Sequence, residues 1–477
     1  MLVLATCAVA SDIDPVTAPG RVDRFLEAGV ANGFSGAVLI AKDGEIILNR
    51  GYGLADKATN TPNTPDTVFD IGSVTKQFTA AAILLLSAED KLSVDDPLSR
   101  FFPSLPKDKQ DITLHQLLTH TAGFPASIGR DFDHTPREQF FNTLFEAQLQ
   151  FEPGDRYQYS NTGYSILGRI IEIASCQGYE TFLSERLFRP AGMNRTGYLL
   201  PAWDDVTMAQ GYMRNVVPRG SMVDRYIEDG RVSWHLKGNG GINATHNDMF
   251  RWYLALRSHR VLSSDLTTKL TTPYVAEQPG GSSHYAYGWA IYTSDRSTPV
   301  VSHNGGNGVF FHEFLWLPED DVAIIFSTNA ASRQVEVAWT VERMLFDTDF
   351  EPGPIVKNVY QYVFDFMAEH PPKAASQLEA SLRSQYATEM TSPDTLNRIG
   401  YMTLRSGQSP EWTVAIFELN TRLFERNANV WDSLGDGYRA SGDKARAIRA
   451  YGTAERLGGP ESARKIDELR QREAANR

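Results

Sequence analysis

Ser73-Val74-Thr75-Lys76 places a serine and a lysine three residues apart at the start of an Ala/Leu-rich stretch. Residues with this spacing on a helix lie on one face with Cβ atoms about 5–6 Å apart, so the amine can reach the hydroxyl. A lysine with a lowered pKa can accept the proton of serine, which is otherwise a weak nucleophile. Unpaired N–H groups at a helix N-terminus also stabilise developing negative charge. The segment therefore predicts Ser73 as a nucleophile and Lys76 as its base or proton relay.

The spacing carries little weight alone, because three further pairs share it in contexts that favour a structural role: Ser104/Lys107, Ser441/Lys444 and Ser462/Lys465. The first pair contains Pro106, the second lies at a predicted turn, and the third lies on a polar terminal helix. Only Ser73 has a preceding glycine, a following apolar helix pattern and a position after a predicted hairpin.

A second group of polar residues is Tyr159-Ser160-Asn161, which follows a Pro-Gly-Asp turn at 153–155. A tyrosine here could pass the serine proton to a leaving group. Asn161 could donate to a substrate carbonyl and help to hold Lys76. Taken alone, Tyr159 would more often be a packed aromatic residue.

The third group is His303-Asn304-Gly305-Gly306, at the end of a predicted strand. Glycines at a strand end let another backbone approach closely. His303 could bind a substrate carboxylate or orient Tyr159, with Asn304 and Gly305 also lining the substrate site. The backbone N–H groups of Gly306 and Ser73 could together form an oxyanion hole. A single histidine at a strand end is more often structural, so the functional interpretation of His303 depends on its order relative to the other two groups.

In this order and separation, the three groups resemble the motifs of the class C β-lactamase and serine D-Ala-D-Ala carboxypeptidase superfamily of penicillin-recognising hydrolases, which includes D-aminopeptidases and short-chain esterases. The resemblance spans residues 34–346 and extends to the stretches 117–123 and 240–245. In these stretches His120 is expected to support the site, and Thr245 with Asp248 to cap a helix.

The resemblance implies a serine hydrolase that forms a covalent acyl-enzyme on an amide or ester carbonyl, with Ser73, Lys76 and Tyr159 catalytic and with no cofactor or metal. Other β-lactamases share a Ser-x-x-Lys motif, and the identity of their acylation base is disputed. Where β-lactamases of this superfamily carry lysine and threonine in the third motif, this chain has His303 and Asn304. A carboxypeptidase-like, aminopeptidase-like or esterase-like enzyme is therefore expected first, with a β-lactamase as the alternative.

The elements that must position these residues follow from hydrophobic patterns. Two β-branched runs, 36–42 and 45–53, meet at Asp43-Gly44 and predict a hairpin. A helix is predicted over 73–92. The same patterns predict further helices at 114–118, 137–148, 163–174, 179–187 and 335–345. They also predict strands at 285–292, 300–303, 309–316 and 322–327. This order predicts an α+β fold, with an antiparallel β-sheet flanked by helices and an all-helical insertion.

A helical domain is predicted after the punctuation Glu351-Pro352-Gly353-Pro354. The expected divisions are a leader at 1–20, a hydrolase domain at 21–350 and an all-α repeat domain at 351–477. A tetratricopeptide-like helix pair is indicated by small and large residues at matching intervals: Trp431, Leu434, Gly435, Tyr438, Ala447, Tyr451 and Ala454. A weaker copy precedes it around Gly400, and helices within 359–386 would cap the stack. The alternative is an ordinary helical tail.

The first ten residues are apolar and end in Ala8-Val9-Ala10, which is typical of a signal-peptidase site. They predict export to the periplasm or the medium, or a cytoplasmic location if this stretch is not a signal. No run approaches the roughly 18 apolar residues that a membrane helix needs. The two cysteines, Cys7 and Cys176, do not form a disulfide pattern, and Cys176 is expected in a helix core.

The 477 residues carry a formal net charge of −12 and no basic run, which argues against nucleic acid as a partner. A small molecule or a short peptide is the expected substrate, and a protein partner could bind the helical repeats. A competing interpretation is a weakly catalytic peptide sensor that recruits a partner through those repeats. A metal hydrolase is disfavoured, because the sequence lacks a His-Glu-x-x-His segment.

Overall fold

The computed structural model describes residues 13, 17–227, 230–331, 337–407 and 409–475. The chain forms two compact units: one runs to Met213 and continues over Pro218–Val356, and the other comprises Arg214–Val217 and Lys357 onward. Most of the predicted leader, with Cys7, lies outside the described residues. Helix α1 begins at Ala18, inside the predicted leader segment.

The strands in chain order are β1 (Gly36–Lys42), β2 (Glu45–Tyr52), β3 (Leu54–Asp56), β4 (Thr61–Pro62), β5 (Phe69–Asp70), β6 (Thr196–Gly197), β7 (Gly211–Met213), β8 (Val217–Gly220), β9 (Asn243–Ala244), β10 (Val275–Ala276), β11 (His284–Tyr285), β12 (Ala290–Thr293), β13 (Pro299–Gly306), β14 (Phe311–Leu317) and β15 (Val322–Thr328). Eight of them form one antiparallel sheet in the order β10-β11-β12-β13-β14-β15-β1-β2. The pairing of β1 with β15 joins the two ends of the first unit's sequence, as the α+β prediction requires.

The helices are α1 (Ala18–Val30), α2 (Thr75–Ala88), α3 (Leu114–Leu118), α4 (Arg137–Glu146), α5 (Asn161–Ser175), α6 (Tyr179–Leu183), α7 (Arg189–Ala191), α8 (Met222–Ile227), α9 (His246–Arg257), α10 (Ser264–Thr271), α11 (Val337–Phe346), α12 (Val359–Glu369), α13 (Ala375–Gln385), α14 (Asp394–Ser406), α15 (Pro410–Leu423), α16 (Ala428–Ala440), α17 (Lys444–Arg456) and α18 (Ser462–Ala475). Along the part of the chain that the structure describes, no helix is long and apolar enough to cross a membrane.

The large sheet is covered on both faces, because alternate residues of a strand point to opposite sides. In β1, Val38 and Ile40 pack in a core with Val22 of α1 and Val341 of α11. Leu39, between them, packs in a second core that includes residues of α2, α5 and α9. A shift of β1 by one residue in register would move its side chains from each core to the opposite one.

Three expectations differ from the structure. The helix predicted over 73–92 consists of a 3-10 turn (Gly72–Val74) followed by α2, which ends at Ala88. The strand predicted over 285–292 is two strands, since Gly288 turns the chain with a φ of +77° between β11 and β12. Cys176 is not a core residue: it is exposed and ends α5 in a left-handed conformation.

The second unit repeats one contact between paired helices. A Cβ on Gly400 of α14 would lie 2.4 Å from the ring of Phe417 on α15. A Cβ on Gly435 of α16 would likewise lie 2.3 Å from the ring of Tyr451 on α17. The glycines are 35 positions apart and the aromatics 34, which is the period of a tetratricopeptide repeat. The C-terminal region is therefore helical and repeats this pair contact, and its tetratricopeptide character stays a prediction.

Candidate active site

Ser73 lies in the 3-10 turn between β5 and α2, partly exposed. Strand β5 pairs with β9, and the Ile71 N–H donates to the Ile242 carbonyl at 2.9 Å. On the other side, Thr75 Oγ1 accepts from the Ile242 N–H at 3.1 Å. The backbone of the stretch 240–245 therefore packs against the turn and holds it in place. This packing is consistent with a structural role for Gly240.

Lys76 is fully buried, and its amine contacts three oxygens. The distances from Nζ are 3.1 Å to Ser73 Oγ, 2.8 Å to Asn161 Oδ1 and 2.6 Å to the Asn239 carbonyl oxygen. Nζ also lies 4.7 Å from the centroid of the Tyr159 ring. The structure therefore brings Ser73, Lys76, Tyr159 and Asn161 together from two distant parts of the sequence.

Burial lowers the pKa of Lys76 well below its ordinary value, and the negative charge of Asp131 opposes that shift. The contacts suit a neutral amine. The Asn161 Oδ1 and Asn239 carbonyl oxygens are acceptors only, so they take two N–H groups and leave the lone pair for the Ser73 hydroxyl proton. Lys76 is thus arranged to accept that proton.

Tyr159 also packs against His120. The chain at His120 is left-handed, with a φ of +59°. Its buried ring lies 4.3 Å from that of Tyr159, and its Nδ1 accepts the Ser160 N–H at 3.1 Å. Ser160 Oγ in turn caps α5 by accepting the Gly163 N–H at 3.2 Å. Burial raises the pKa of Tyr159, while a hydrogen bond with Ser73 opposes that shift. The phenol therefore keeps its proton near neutral pH.

The glycines of β13 allow the strand to touch the Ser73 turn. A Cβ on Gly305 would lie 2.2 Å from the Ile71 carbonyl oxygen and 2.4 Å from Ser73 N. A Cβ on Gly72 would lie 2.9 Å from Gly306 N. The backbone nitrogens of Ser73 and Gly306, the predicted oxyanion donors, therefore meet at this contact.

His303 is buried, and both of its ring nitrogens are occupied. Nδ1 lies 2.6 Å from the Asn304 carbonyl oxygen and therefore carries the proton, and Nε2 accepts from the Tyr285 hydroxyl at 3.0 Å. Burial lowers its pKa to about 3. His303 contacts Tyr159 only ring to ring, with centroids 6.2 Å apart. This differs from the expected carboxylate-binding role, because the ring is neutral and has no free N–H. Asn304 is exposed.

Two supporting residues were not predicted. Asp70 is buried and accepts from the Gly72 N–H and from Asn307 Nδ2, both at 2.7 Å, so it ties the nucleophile turn to the loop after β13. Asn239 holds Lys76 through its carbonyl oxygen, while its amide donates to Ser165 Oγ at 2.9 Å. Asp70 lies three residues before Ser73, yet only the fold shows which backbone group its carboxylate meets.

The other Ser-x-x-Lys pairs make different contacts. Ser441 Oγ donates to the Tyr438 carbonyl oxygen at 3.0 Å. Ser462 Oγ and Lys465 Nζ both bind Asp432, the latter at 2.5 Å. Among the described residues, no group of three or more histidine, cysteine, aspartate or glutamate side chains could hold a metal ion.

Comparisons with known proteins bear on the family and the fold of the chain. The Beta-lactamase family matches residues 22–344, and the chain belongs to that family. Penicillin-binding protein 4* of Bacillus subtilis is 31% identical over 297 residues, covering 59% of this chain and 65% of that protein. The putative penicillin-binding protein PbpX of the same organism is 34% identical over 259 residues, covering 54% and 62%. The chain thus spans less than two thirds of the length of these relatives.

A solved structure has the same fold. It is the octameric penicillin-binding protein homologue from Pyrococcus abyssi, which is 25% identical with a TM-score of 0.61, over 73% of this chain and 81% of that one. The predicted superfamily of serine hydrolases and the predicted fold class are therefore confirmed.

Proposed function

We propose that the protein is a serine hydrolase that acylates Ser73 on an amide or ester carbonyl and then releases the acyl group to water. The contact of buried Lys76 Nζ with Ser73 Oγ at 3.1 Å carries this proposal. A neutral amine in hydrogen-bond reach of a hydroxyl is the arrangement that activates a serine.

In the first step, Ser73 Oγ forms a bond to the substrate carbonyl carbon, and its proton passes to Lys76 Nζ. The carbonyl electrons move to the oxygen, which the N–H groups of Ser73 and Gly306 stabilise. The carbon–leaving group bond then breaks as a proton reaches the leaving group. Tyr159 is suited to deliver this proton, because its phenol is protonated and is hydrogen-bonded to Ser73. Lys76 can then return a proton to Tyr159.

In the second step, water attacks the acyl carbon and gives its proton to the same groups, and the bond between the carbon and Ser73 Oγ breaks. The acid product leaves and the serine hydroxyl is restored. Because His303 is neutral, it offers no positive charge to a substrate carboxylate. This supports peptidase-like or esterase-like activity on substrates without a carboxylate beside the scissile bond. β-Lactam hydrolysis remains the alternative.

The natural substrate is proposed to be a small molecule or short peptide outside the cytoplasm. The relatives named penicillin-binding proteins and the apolar residues before Ala10 support export. The repeat domain is proposed to bind a protein partner, because stacked helix pairs form extended binding surfaces.

The test is covalent labelling of the intact protein with a fluorescent penicillin and with a fluorophosphonate, read by mass spectrometry. We expect one adduct on Ser73 from at least one probe, lost in Ser73→Ala and retained in the control Ser441→Ala. The rate should rise with pH as Lys76 loses its proton, and Lys76→Met should lower it by at least a hundredfold, within the range known for general bases. No adduct on the wild type, or an adduct that survives Ser73→Ala, refutes the proposal.

A further inference from the structure

The two backbone segments that supply the predicted oxyanion donors meet at Gly72, the residue before Ser73. Gly72 has a φ of +51°, and the atoms nearest to a Cβ at this position are backbone atoms of Gly305 and Gly306, at 2.8–2.9 Å. Van der Waals contact brings such segments together but gives little direction to their N–H groups. Hydrogen bonds beside the contact must therefore fix how the two donors point.

The carboxylate of Asp70 spans this contact and is buried. Its Oδ1 accepts the Gly72 N–H at 2.7 Å, and its Oδ2 accepts from Asn307 Nδ2 at 2.7 Å. Gly72 directly precedes Ser73, and Asn307 directly follows Gly306. Each carboxylate oxygen thus holds the chain neighbour of one oxyanion donor. Two hydrogen bonds to one planar carboxylate fix both the distance and the relative direction of the groups they join.

The side chain of Asn307 carries this link into the loop between β13 and β14. Its Oδ1 accepts the N–H groups of Val309 at 3.0 Å and Phe310 at 2.9 Å. Its own backbone N–H donates to the Phe310 carbonyl oxygen at 3.2 Å. One amide group therefore closes the loop that follows Gly306 and binds the carboxylate of Asp70. A change at Asp70 would reach the Gly306 N–H through this amide.

We propose that Asp70 is a positioning residue for the reaction, whose carboxylate aligns the N–H groups of Ser73 and Gly306 on the developing oxyanion. This rests on the proposed acylation of Ser73. The buried carboxylate acts through Gly72 and Asn307 and not by touching the substrate. Full negative charge develops on the carbonyl oxygen only along the path to the tetrahedral intermediate. Asp70 therefore affects the acylation rate constant and leaves the affinity of the first complex almost unchanged.

The test exchanges the two side chains of the link. In Asp70→Asn, the new amide brings a second donor against the Asn307 amide or against the Gly72 N–H. In Asn307→Asp, two carboxylates face each other. The double variant Asp70→Asn/Asn307→Asp again places one donor against one acceptor. Its carboxylate at position 307 can still accept the N–H groups of the loop.

The assay is the rate of Ser73 labelling by the fluorescent penicillin or the fluorophosphonate, whichever labels the wild type, as a function of probe concentration. This dependence separates the dissociation constant of the first complex from the acylation rate constant. Asp70→Asn should lower the rate constant about a hundredfold, as a misplacement of about 1 Å can do. The dissociation constant should change less than about threefold. The double variant should recover at least about tenfold of the lost rate.

A matched control is Asp248→Asn, which changes another buried carboxylate that accepts a backbone N–H, that of Arg195 at 2.6 Å. It should label with the rate constant of the wild type. Unfolding in urea identifies any variant that does not fold. In that case Asn307→Ser decides, because it removes the amide of the link from a half-buried position. It should lower the rate constant in the same way as Asp70→Asn.

An unchanged rate constant in folded Asp70→Asn overturns the inference, as does an effect confined to the dissociation constant. A folded double variant that stays as slow as Asp70→Asn also overturns it, because the hydrogen-bonded link would then not set the rate. If the decision falls to Asn307→Ser, the rate constant of the wild type has the same meaning. Failure of the proposed function is distinguishable, since the wild type itself would then carry no label on Ser73.

Discussion

Gly305 lies where β13 touches the turn that carries Ser73, and its replacement by alanine tests whether this contact builds the oxyanion hole. The new Cβ would lie 2.2 Å from the Ile71 carbonyl oxygen and 2.4 Å from Ser73 N, both of them backbone atoms. Ordinary contact begins at 3.4 Å, so the strand and the turn must separate by about 1.2 Å. A displacement of about 1 Å in a catalytic site can lower the rate about a hundredfold, which corresponds to roughly 2.7 kcal/mol.

The assay is the rate of Ser73 labelling, measured beside the free energy of unfolding in urea. Gly305→Ala should lower the labelling rate about a hundredfold and destabilise the first unit by about 1–3 kcal/mol, as overpacking does. The neighbouring Gly306→Ala controls for the stability effect, because its Cβ would meet the Phe311 side chain at 3.2 Å and no backbone atom closer than 3.6 Å. Labelling of Gly305→Ala at the rate of the wild type, with unchanged stability, would refute the reasoning.

Two further predictions concern stability. Burial lowers the pKa of His246 to about 3, from 6.5 in an unfolded chain, so unfolding takes up a proton at acidic pH. This histidine should cost about 2 kcal/mol of stability between pH 7.5 and pH 5, and urea unfolding of His246→Gln should show a correspondingly smaller loss; equal losses would contradict this. In the repeat domain, Gly435→Ala should destabilise by about 1–3 kcal/mol, because its Cβ would meet the buried Tyr451 ring at 2.3 Å. Ser73 labelling should be unchanged, and a variant as stable as the wild type would contradict the predicted interlock.

The side chains of Ser73, Lys76, Tyr159 and Asn161, which stand out in the sequence by their unusual combination of types, come together in the structure. Ser73 and Lys76 are close by helical spacing alone, and the hairpin at Asp43-Gly44 follows from local turn chemistry. There the observed φ values are +56° and +81°. The repeat at Gly435 and Tyr451 was predicted from the sequence because small and large residues must alternate where two helices pack closely. Local geometry was sufficient to predict the serine–lysine spacing, the hairpin and this repeat.

The partners of those residues could not be predicted, because they depend on contacts between distant segments. Nothing local in the sequence says that His120 accepts from the Ser160 N–H, or that Asp70 joins the Gly72 N–H to Asn307. The role of His303 depends on distant contacts in the same way. A strand-end histidine is a candidate cation by its type, yet burial, which depends on the packing of distant segments, lowers its pKa and leaves the ring neutral.

The same burial acts in opposite ways on the two basic side chains of the site. It lowers the pKa values of both Lys76 and His303, and each becomes more readily neutral. For Lys76 this creates a base, because a lone pair then faces the Ser73 hydroxyl. For His303 it removes the charge that a substrate carboxylate would need, and both ring nitrogens are already bonded within the protein. One cause, desolvation of a crowded aromatic centre, therefore makes Lys76 suited to activate the proposed nucleophile and leaves His303 without a charge for an anionic substrate.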